Sequence, residues 1–177
     1  MKIVLIGIQG AGKSTQGNLL SERLGVSYLS TGHIFREMAK EKTPSGRYIK
    51  ETMNAGILIP DEKTIEIVNE YLGRSEYSKG YILDGFPRTL IQAESFKENI
   101  DKVIYLEVSD AQALIRIAGR KSEREDETEE AIKKRIEMFH EFTEPVIAYY
   151  RNKGILLEVD GEKEINEINK EILDKLQ

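Results

Sequence analysis

A glycine-rich segment that ends in a lysine and a hydroxyl residue is the clearest chemical feature of the sequence. Residues 7–14 read GIQGAGKS and fit the pattern G-x-x-x-x-G-K-[ST]. Glycines let the backbone fold closely around phosphate oxygens, which the loop amides and the start of a following helix attract. A cation is unfavourable at a helix start, so Lys13 in that place indicates a bound anion. The segment therefore predicts a binding site for nucleotide phosphates.

The residue types of this loop suit the parts of a magnesium nucleotide. Lys13 would reach the β- and γ-phosphates, and the hydroxyl of Ser14, or of Thr15 beside it, can bind Mg²⁺. The pattern leaves the reaction open, because GTPases, motor domains and small-molecule kinases all contain such a loop. The expected ATP-binding residues in this segment are Gly10, Ala11, Gly12, Lys13, Ser14 and Thr15.

Three further segments carry the residue types that discriminate between such proteins. They are residues 30–36 (STGHIFR), 56–61 (GILIPD) and 84–89 (DGFPRT), the last followed by Gln92. In this order along the chain they resemble the adenylate kinases, and the D-G-F-P-R-T-x-x-Q element is highly specific to nucleoside monophosphate kinases. The resemblance implies reversible, Mg²⁺-dependent phosphoryl transfer, ATP + AMP = 2 ADP, with ATP, AMP and ADP as the binding partners.

By this resemblance the three segments surround AMP. Arg36 and Arg88 would hold its phosphate bidentately, with the attacking oxygen in line with the γ-phosphorus of ATP. The Gln92 amide, a donor and an acceptor, would pair with the N1 and N6 edge of adenine. Asp84 would hold Mg²⁺ through water, with Ser14 or Thr15 as the other metal-site residues. The expected AMP-binding residues are Thr31, Arg36, Met53, Ile57, Leu58, Ile59, Gly85, Phe86, Pro87, Arg88, Gln92, Arg124 and Arg135.

The second half of the chain supplies more arginines. Arg116 and Arg120 share a helix face if the helix extends that far. Arg124, the acidic run after it and Arg135 resemble the family pattern R-x-D-D…R, with Glu127 replacing the second Asp. By resemblance Arg124 and Arg135 neutralise charge on the transferring phosphoryl group and on AMP. The expected catalytic residues are Lys13, Asp84, Arg88, Arg124 and Arg135, and the remaining ATP-binding residues are Arg116, Arg120 and Lys163, which would pass near the base.

The sequence departs from the family at the LID. Residues 121–123 alone separate Arg120 from Arg124, where longer members carry a β-rich LID, some with a Cys₄ zinc cluster. We therefore expect a LID stub over residues 120–127, no structural zinc, and gating chiefly by closure of the AMP-binding insertion.

Two other hypotheses remain open, and three substitutions bear on one of them. Gln9 stands where the family usually has Pro, Ser14 where it has Gly, and His33 where it has an acidic residue. They are the support for a nucleotide-binding regulator with weak turnover. The other alternative is a UMP or CMP kinase, which usually carries Asn where Thr89 and Gln92 point to adenine. His140 is assigned to the outer face of a long helix, without a catalytic role.

Short apolar runs alternate with longer segments of helical period, which is typical of a parallel α/β sheet. Strands are expected over residues 2–6, 26–29, 81–83, 103–108 and 155–159. Helices are expected over residues 14–24, 32–40, 45–54, 61–72, 90–98, 111–119, 129–151 and 164–176. Pro145 is expected to kink the seventh of these helices or to mark its weak point. Together with the resemblance this predicts a P-loop NTPase fold, a five-stranded parallel sheet flanked by helices, with a helical AMP-binding insertion and a reduced LID.

Length and composition limit the classes of protein that fit. The 177 residues suit one domain, with a core of residues 1–29, 60–119 and 128–177 and an insertion of residues 30–59. With 26 basic and 31 acidic side chains, the net charge of −5 argues against non-specific nucleic-acid binding. The 0 cysteines exclude disulfides and Cys-built zinc sites. No apolar run has the length of a membrane span, so we expect a cytoplasmic protein, monomeric by resemblance.

Overall fold

Five parallel strands form the centre of the computed structural model, which describes residues 1–119 and 126–177. They are β1 (Lys2–Ile6), β2 (Ser27–Ser30), β3 (Tyr81–Asp84), β4 (Lys102–Glu107) and β5 (Leu156–Asp160). Their order across the sheet is β2-β3-β1-β4-β5, and every neighbouring pair is parallel. The predicted five-stranded parallel sheet is confirmed.

The inner strands carry continuous apolar runs, which suit a sheet covered by helices on both faces. Ile3 and Val4 of β1, Ile82 and Leu83 of β3 and Val103 of β4 are completely buried. The strand ends are in register: Asp84 at the end of β3 lies beside Leu5 of β1 and Ser30 of β2. The loop after β1 and the helix after β2 therefore both begin next to the Asp84 carboxylate.

The described residues contain nine α-helices. They are α1 (Lys13–Leu24), α2 (Thr31–Met38), α3 (Pro44–Asn54), α4 (Asp61–Leu72), α5 (Leu90–Ser95), α6 (Asp110–Ala118), α7 (Glu129–Met138), α8 (Glu144–Asn152) and α9 (Ile165–Leu176). Side-chain oxygens cap several helix starts: Ser30 accepts from the backbone N–H of His33, and Thr89 from that of Gln92. Such caps satisfy amides that have no partner inside the helix. None of these helices is long and apolar enough to cross a membrane.

The structure corrects two of the expected helices. The helix expected over residues 129–151 is divided into α7, a π-helical turn over Phe139–Thr143 and α8. Pro145 lies in the first turn of α8, and its missing N–H explains why the α-helical ladder is interrupted just before it. The helix expected over residues 90–98 ends at Ser95, because Phe96 takes an extended conformation. The Phe96 ring packs edge-on against that of Phe86, with the ring centroids 5.0 Å apart.

The chain changes direction across the sheet at β1. From β1 it runs to β2 and β3 on one side, and from β3 it crosses to β4 on the other. Loops at the carboxyl ends of strands separate at such a point and leave a crevice in which α/β proteins bind ligands. Helices α2 and α3, which contact each other, follow β2 on this side.

Candidate active site

A cavity of about 190 Å³ lies at the carboxyl ends of β1 and β3. Most of its lining comes from four parts of the chain: the loop after β1, the region of α2 and α3, the loop between β3 and α5, and α7 with the π-helical turn. The expected site residues in its lining are Gly10, Gly12, Lys13, Ser14, Arg36, Met53, Ile57, Leu58, Ile59, Asp84, Gly85, Pro87, Arg88, Gln92 and Arg135. Fifteen residues chosen from the sequence thus lie around one cavity.

The phosphate loop is tightly folded and pressed against α6. Gly10 has a φ of 93°, and a side chain there would bring Cβ within 2.8 Å of the Ala113 carbonyl oxygen. The Lys13 ammonium donates to the carbonyl oxygens of Gly7 and Ile8, at 2.7 and 3.1 Å. These bonds hold the Lys13 side chain over its own loop, at the N-terminus of α1. The loop therefore presents a concentrated positive charge.

Asp84 places a carboxylate opposite that charge. It is 7% exposed, and its Oδ2 accepts a 2.7 Å hydrogen bond from the hydroxyl of Tyr28 on β2. Burial, followed by the nearby Asp84 charge, raises the pKa of Tyr28, which keeps the phenol a donor. Ser14 lines the same cavity. A carboxylate and a hydroxyl are oxygen ligands of the kind that Mg²⁺ prefers, so these residues fit the metal of a magnesium nucleotide.

Three guanidinium groups converge on the cavity from different elements: Arg36 from α2, Arg88 from the loop before α5 and Arg135 from α7. The Arg88 Nε donates to the Gly85 carbonyl oxygen at 2.8 Å, which fixes the plane of its side chain. Burial lowers the pKa of Arg88, the charges of Arg135 and Arg36 lower it further, and Asp84 opposes them. Cations in proximity repel one another, so the cluster favours a bound anion.

Arg135 also joins three parts of the structure. Its Nη2 donates to Asp126 Oδ2 at 2.6 Å and to the Met53 carbonyl oxygen at 2.9 Å, and its Nη1 lies 3.4 Å from Gln9 Oε1. The Gln9 amide in turn donates to Glu127 at 3.2 Å. Asp126 is 7% exposed, so this ion pair is largely removed from solvent. The arginine is therefore fixed by α3, the phosphate loop and the chain just before α7.

An amide and an apolar wall complete the cavity on the α2–α3 side. Gln92 is 2% exposed; its Oε1 accepts from the Arg88 backbone N–H, and its Nε2 donates to Asp61 Oδ1, both at 2.8 Å. Met53, Leu58 and Ile59 supply apolar surface nearby. An amide edge within an apolar wall can bind a flat heterocycle with polar edges.

Some expected site residues lie elsewhere in the described structure. Thr31 is buried behind the cavity and donates to the Asp84 carbonyl oxygen at 3.2 Å, while Phe86 packs in the core. The Lys163 ammonium pairs with Glu171 of α9 at 2.8 Å. Ala11, Thr15 and Arg116 are likewise outside the lining, and Arg120 and Arg124 lie outside the described residues.

The cavity also contains residues that the sequence analysis did not select. Met138, Phe139 and Thr143 continue the face of Arg135 at spacings of three, four and eight residues, a helical pattern that could have identified them. Asp126 stood within the R-x-D-D pattern without an assigned role. The other members are Leu5, Ile6, Gly7, Gln9, Ser30, Gly32, Phe35 and Thr64. His140 is not in this lining; as expected for the outer helix face, it is exposed and bonds to Asp110 and Glu144.

Comparison with known proteins identifies the family. The family model described as adenylate kinase matches residues 5–155. Adenylate kinases of Caldicellulosiruptor saccharolyticus and Syntrophotalea carbinolica are each 39% identical to this chain, aligned over 99% of it and over 99% and 98% of their own lengths. The adenylate kinase of Staphylococcus epidermidis is 33% identical over 99% of both chains. These alignments extend over 212 positions, more than the 177 residues of this chain. The chain belongs to the adenylate kinase family.

Proposed function

We propose that this protein transfers the γ-phosphoryl group of ATP reversibly to AMP, with Mg²⁺, and forms two ADP. The observation that carries the proposal is the meeting of Lys13, Asp84 and the guanidinium groups of Arg36, Arg88 and Arg135 around one cavity at the phosphate loop. Phosphoryl transfer needs positioning and charge neutralisation more than proton transfer, and this set of residues supplies both.

The ATP phosphates are assigned to the loop between β1 and α1. On binding, Lys13 would exchange its bonds to the Gly7 and Ile8 carbonyl oxygens for bonds to the β- and γ-phosphates. Ser14 and Asp84 would hold the Mg²⁺ ion, which when bound with ATP reduces the negative charge on the phosphates. Arg116, Arg120 and Lys163 remain the expected contacts to the rest of ATP.

AMP is assigned to the side of the cavity formed by α2, α3 and the loop after β3. Arg36 and Arg88 would bind its phosphate, and Gln92 would read its base. Arg135, with Arg124, would contact the phosphoryl group as it passes between the two nucleotides. Holding the attacking AMP oxygen next to the γ-phosphorus converts an encounter in solution into a step within one complex.

Because the LID is expected to be short, we assign the exclusion of water during transfer to a closing movement of residues 30–59. Structures with and without a bisubstrate analogue test this assignment. A displacement of α2 and α3 toward the phosphate loop supports it, and an unchanged position of these helices contradicts it.

We further propose that the protein acts as a cytoplasmic monomer.

Product analysis by ³¹P NMR tests the reaction. Purified protein with ATP and Mg²⁺ is offered AMP, UMP, CMP, GMP and dTMP separately, with Lys13→Met as the inactive control. ADP formed fastest from AMP supports the proposal. Faster conversion of UMP or CMP would retain the phosphate assignments and overturn the base assignment, and conversion of none would indicate a nucleotide-binding regulator.

A further inference from the structure

The side-chain amide of Gln92 is held at both of its ends by partners with fixed hydrogen-bonding roles. The backbone N–H of Arg88 can only donate, and it bonds to Gln92 Oε1 at 2.8 Å. The carboxylate of Asp61 can only accept, and its Oδ1 bonds to Gln92 Nε2 at 2.8 Å. Rotation of the amide by 180° would place two donors face to face and two acceptors face to face. The structure therefore allows one orientation of this amide.

Orientation matters because an amide is nearly symmetric in shape and opposite in polarity at its two ends. It has two N–H donors and two oxygen lone pairs, so each end of Gln92 can make one further hydrogen bond. Gln92 is 2% exposed and lines the cavity, so a base in the cavity would meet the orientation that its partners impose.

Purine bases differ at the edge that such an amide reads. Adenine presents a donor, the 6-amino group, beside the N1 acceptor, whereas guanine and hypoxanthine present the O6 acceptor beside an N1–H donor. An amide held in one orientation can therefore make both hydrogen bonds to only one of these two base edges. The same amide rotated by 180° could make both hydrogen bonds only to the other edge. A glutamine that rotated at no cost would not discriminate between them.

We infer that Asp61 is a specificity-determining positioning residue, which fixes the Gln92 amide so that the acceptor site takes 6-aminopurine and rejects 6-oxopurine nucleotides. The inference rests on the proposed assignment of AMP to this side of the cavity. Asp61 Oδ1 also accepts a 2.9 Å hydrogen bond from the hydroxyl of Thr89, the residue that caps α5. One carboxylate at the start of α4 thus holds both Thr89 and Gln92.

Selectivity between AMP and IMP tests this inference, because the two differ only at the edge in question. The full chain and three variants, Asp61→Ala, Asp61→Asn and Glu62→Gln, are assayed with each acceptor and MgATP. In Asp61→Ala, water takes the place of the carboxylate and can donate or accept, while Arg88 still favours one orientation. We expect the kcat/KM ratio of AMP over IMP to fall at least about tenfold, mainly through KM, because a directional hydrogen bond is lost.

The two other variants separate positioning from charge. The side-chain amide oxygen that Asp61→Asn introduces could still accept from both partners, so this variant is expected to retain selectivity within about threefold of the parent. Glu62 is an exposed acidic residue in the same first turn of α4, so Glu62→Gln removes a charge there without touching Gln92, and we expect the ratio to be unchanged. Asp61→Ser, whose hydroxyl can donate or accept, replaces Asp61→Ala if that variant does not fold.

Equilibrium binding of AMP and of IMP gives a second measurement that needs no turnover. An unchanged AMP-to-IMP ratio in Asp61→Ala, by kinetics and by binding, would overturn the inference while leaving phosphoryl transfer to AMP intact. Absence of transfer by the parent protein would instead contradict the proposed function, and the binding ratio would still decide the role of Asp61. A ratio that falls equally in Glu62→Gln would also overturn the inference, because it would show an effect of charge alone.

Discussion

The hydroxyl of Tyr28 on β2 donates a 2.7 Å hydrogen bond to Asp84 Oδ2 at the end of β3. The two residues are 56 positions apart in the sequence, and the parallel register of β2 and β3 brings their strands together. Because the Tyr28 phenol holds one carboxylate oxygen, the Asp84 carboxylate cannot rotate freely, and the position of its other oxygen is fixed as well. Tyr28 therefore orients the residue to which we assign Mg²⁺.

Removal of this hydroxyl is expected to change the magnesium dependence of the reaction. Tyr28→Phe retains the ring, so packing is preserved, but Asp84 loses its bond. We expect the Mg²⁺ concentration for half-maximal rate to rise about tenfold, because partners that orient metal-binding groups have effects of that size. Rate measured against Mg²⁺ concentration checks this, with Tyr149→Phe in α8 as the control. An identical Mg²⁺ titration for Tyr28→Phe and the parent would contradict it.

The Tyr28 ring occupies space that Gly17 of α1 leaves open. A Cβ at position 17 would collide with Cε2 and Cδ2 of Tyr28, so the ring would have to move. We expect Gly17→Ala to lower the free energy of unfolding by about 1–3 kcal/mol, although alanine is the better helix former, because overpacking costs that much. Urea unfolding measures the change.

Gly119→Ala is the matched control for this substitution, since its nearest contact would be 3.5 Å from the Ile115 carbonyl oxygen. We expect its unfolding free energy to stay within about 0.5 kcal/mol of the parent. Equal effects of the two substitutions would show that the Tyr28 contact does not limit position 17.

Arg135 is expected to tolerate no replacement by lysine. A single ammonium cannot donate to Asp126, the Met53 carbonyl oxygen and Gln9 in the same geometry. We expect Arg135→Lys to lower kcat at least about 100-fold, as does the loss of a group that stabilises transition-state charge. Steady-state kinetics with saturating ATP and AMP checks this.

Arg151→Lys is the control for Arg135→Lys. Arg151 makes a two-pronged contact with Glu158, at 2.9 and 3.0 Å, but both side chains are exposed. Exposed pairs are screened by solvent and contribute little to stability, so neither rate nor stability should change appreciably. A parent-like rate for Arg135→Lys would exclude it from the reaction.

His140 gives the stability a component that depends on pH. Its ring nitrogens contact Glu144 at 2.6 Å and Asp110 at 2.9 Å, and hydrogen bonds to Glu144 and then to Asp110 raise the pKa of His140 above its usual 6.5. A raised pKa in the folded state means that the stabilisation is complete below the unfolded pKa and is lost as pH rises through the folded pKa. Solvent screening at this exposed site limits it to less than about 1 kcal/mol.

The unfolding free energies of the parent and of His140→Gln, measured at several pH values, test the sign of this pH dependence. We expect the parent to exceed the variant in unfolding free energy at pH 6, and the difference to shrink at pH 9. A difference that grows with pH would contradict the assigned charge state. The catalytic rate should not change with this difference in stability, since His140 lies outside the cavity lining.

Features that depend on neighbouring residues could be predicted from the amino-acid sequence alone. Continuous apolar runs indicated β1 and β3, because a strand buried on both faces needs them, and GIQGAGKS indicated the phosphate loop between a strand and a helix. The arginines that line the cavity were assigned instead by resemblance to the adenylate kinases, on the motifs that contain them. The strands and the phosphate loop are encoded within a few residues, so the local residue pattern suffices to predict them.

Contacts between distant side chains depend instead on the assembled fold. Asp61 lies 31 residues from Gln92, and Gln9 lies 126 from Arg135, and no local pattern pairs them. The burial of Phe86 in the core likewise depends on the assembled fold. Local propensity specifies a strand or a helix, but the direction of a side chain depends on sheet register and helix packing, which are fixed only when the whole core assembles.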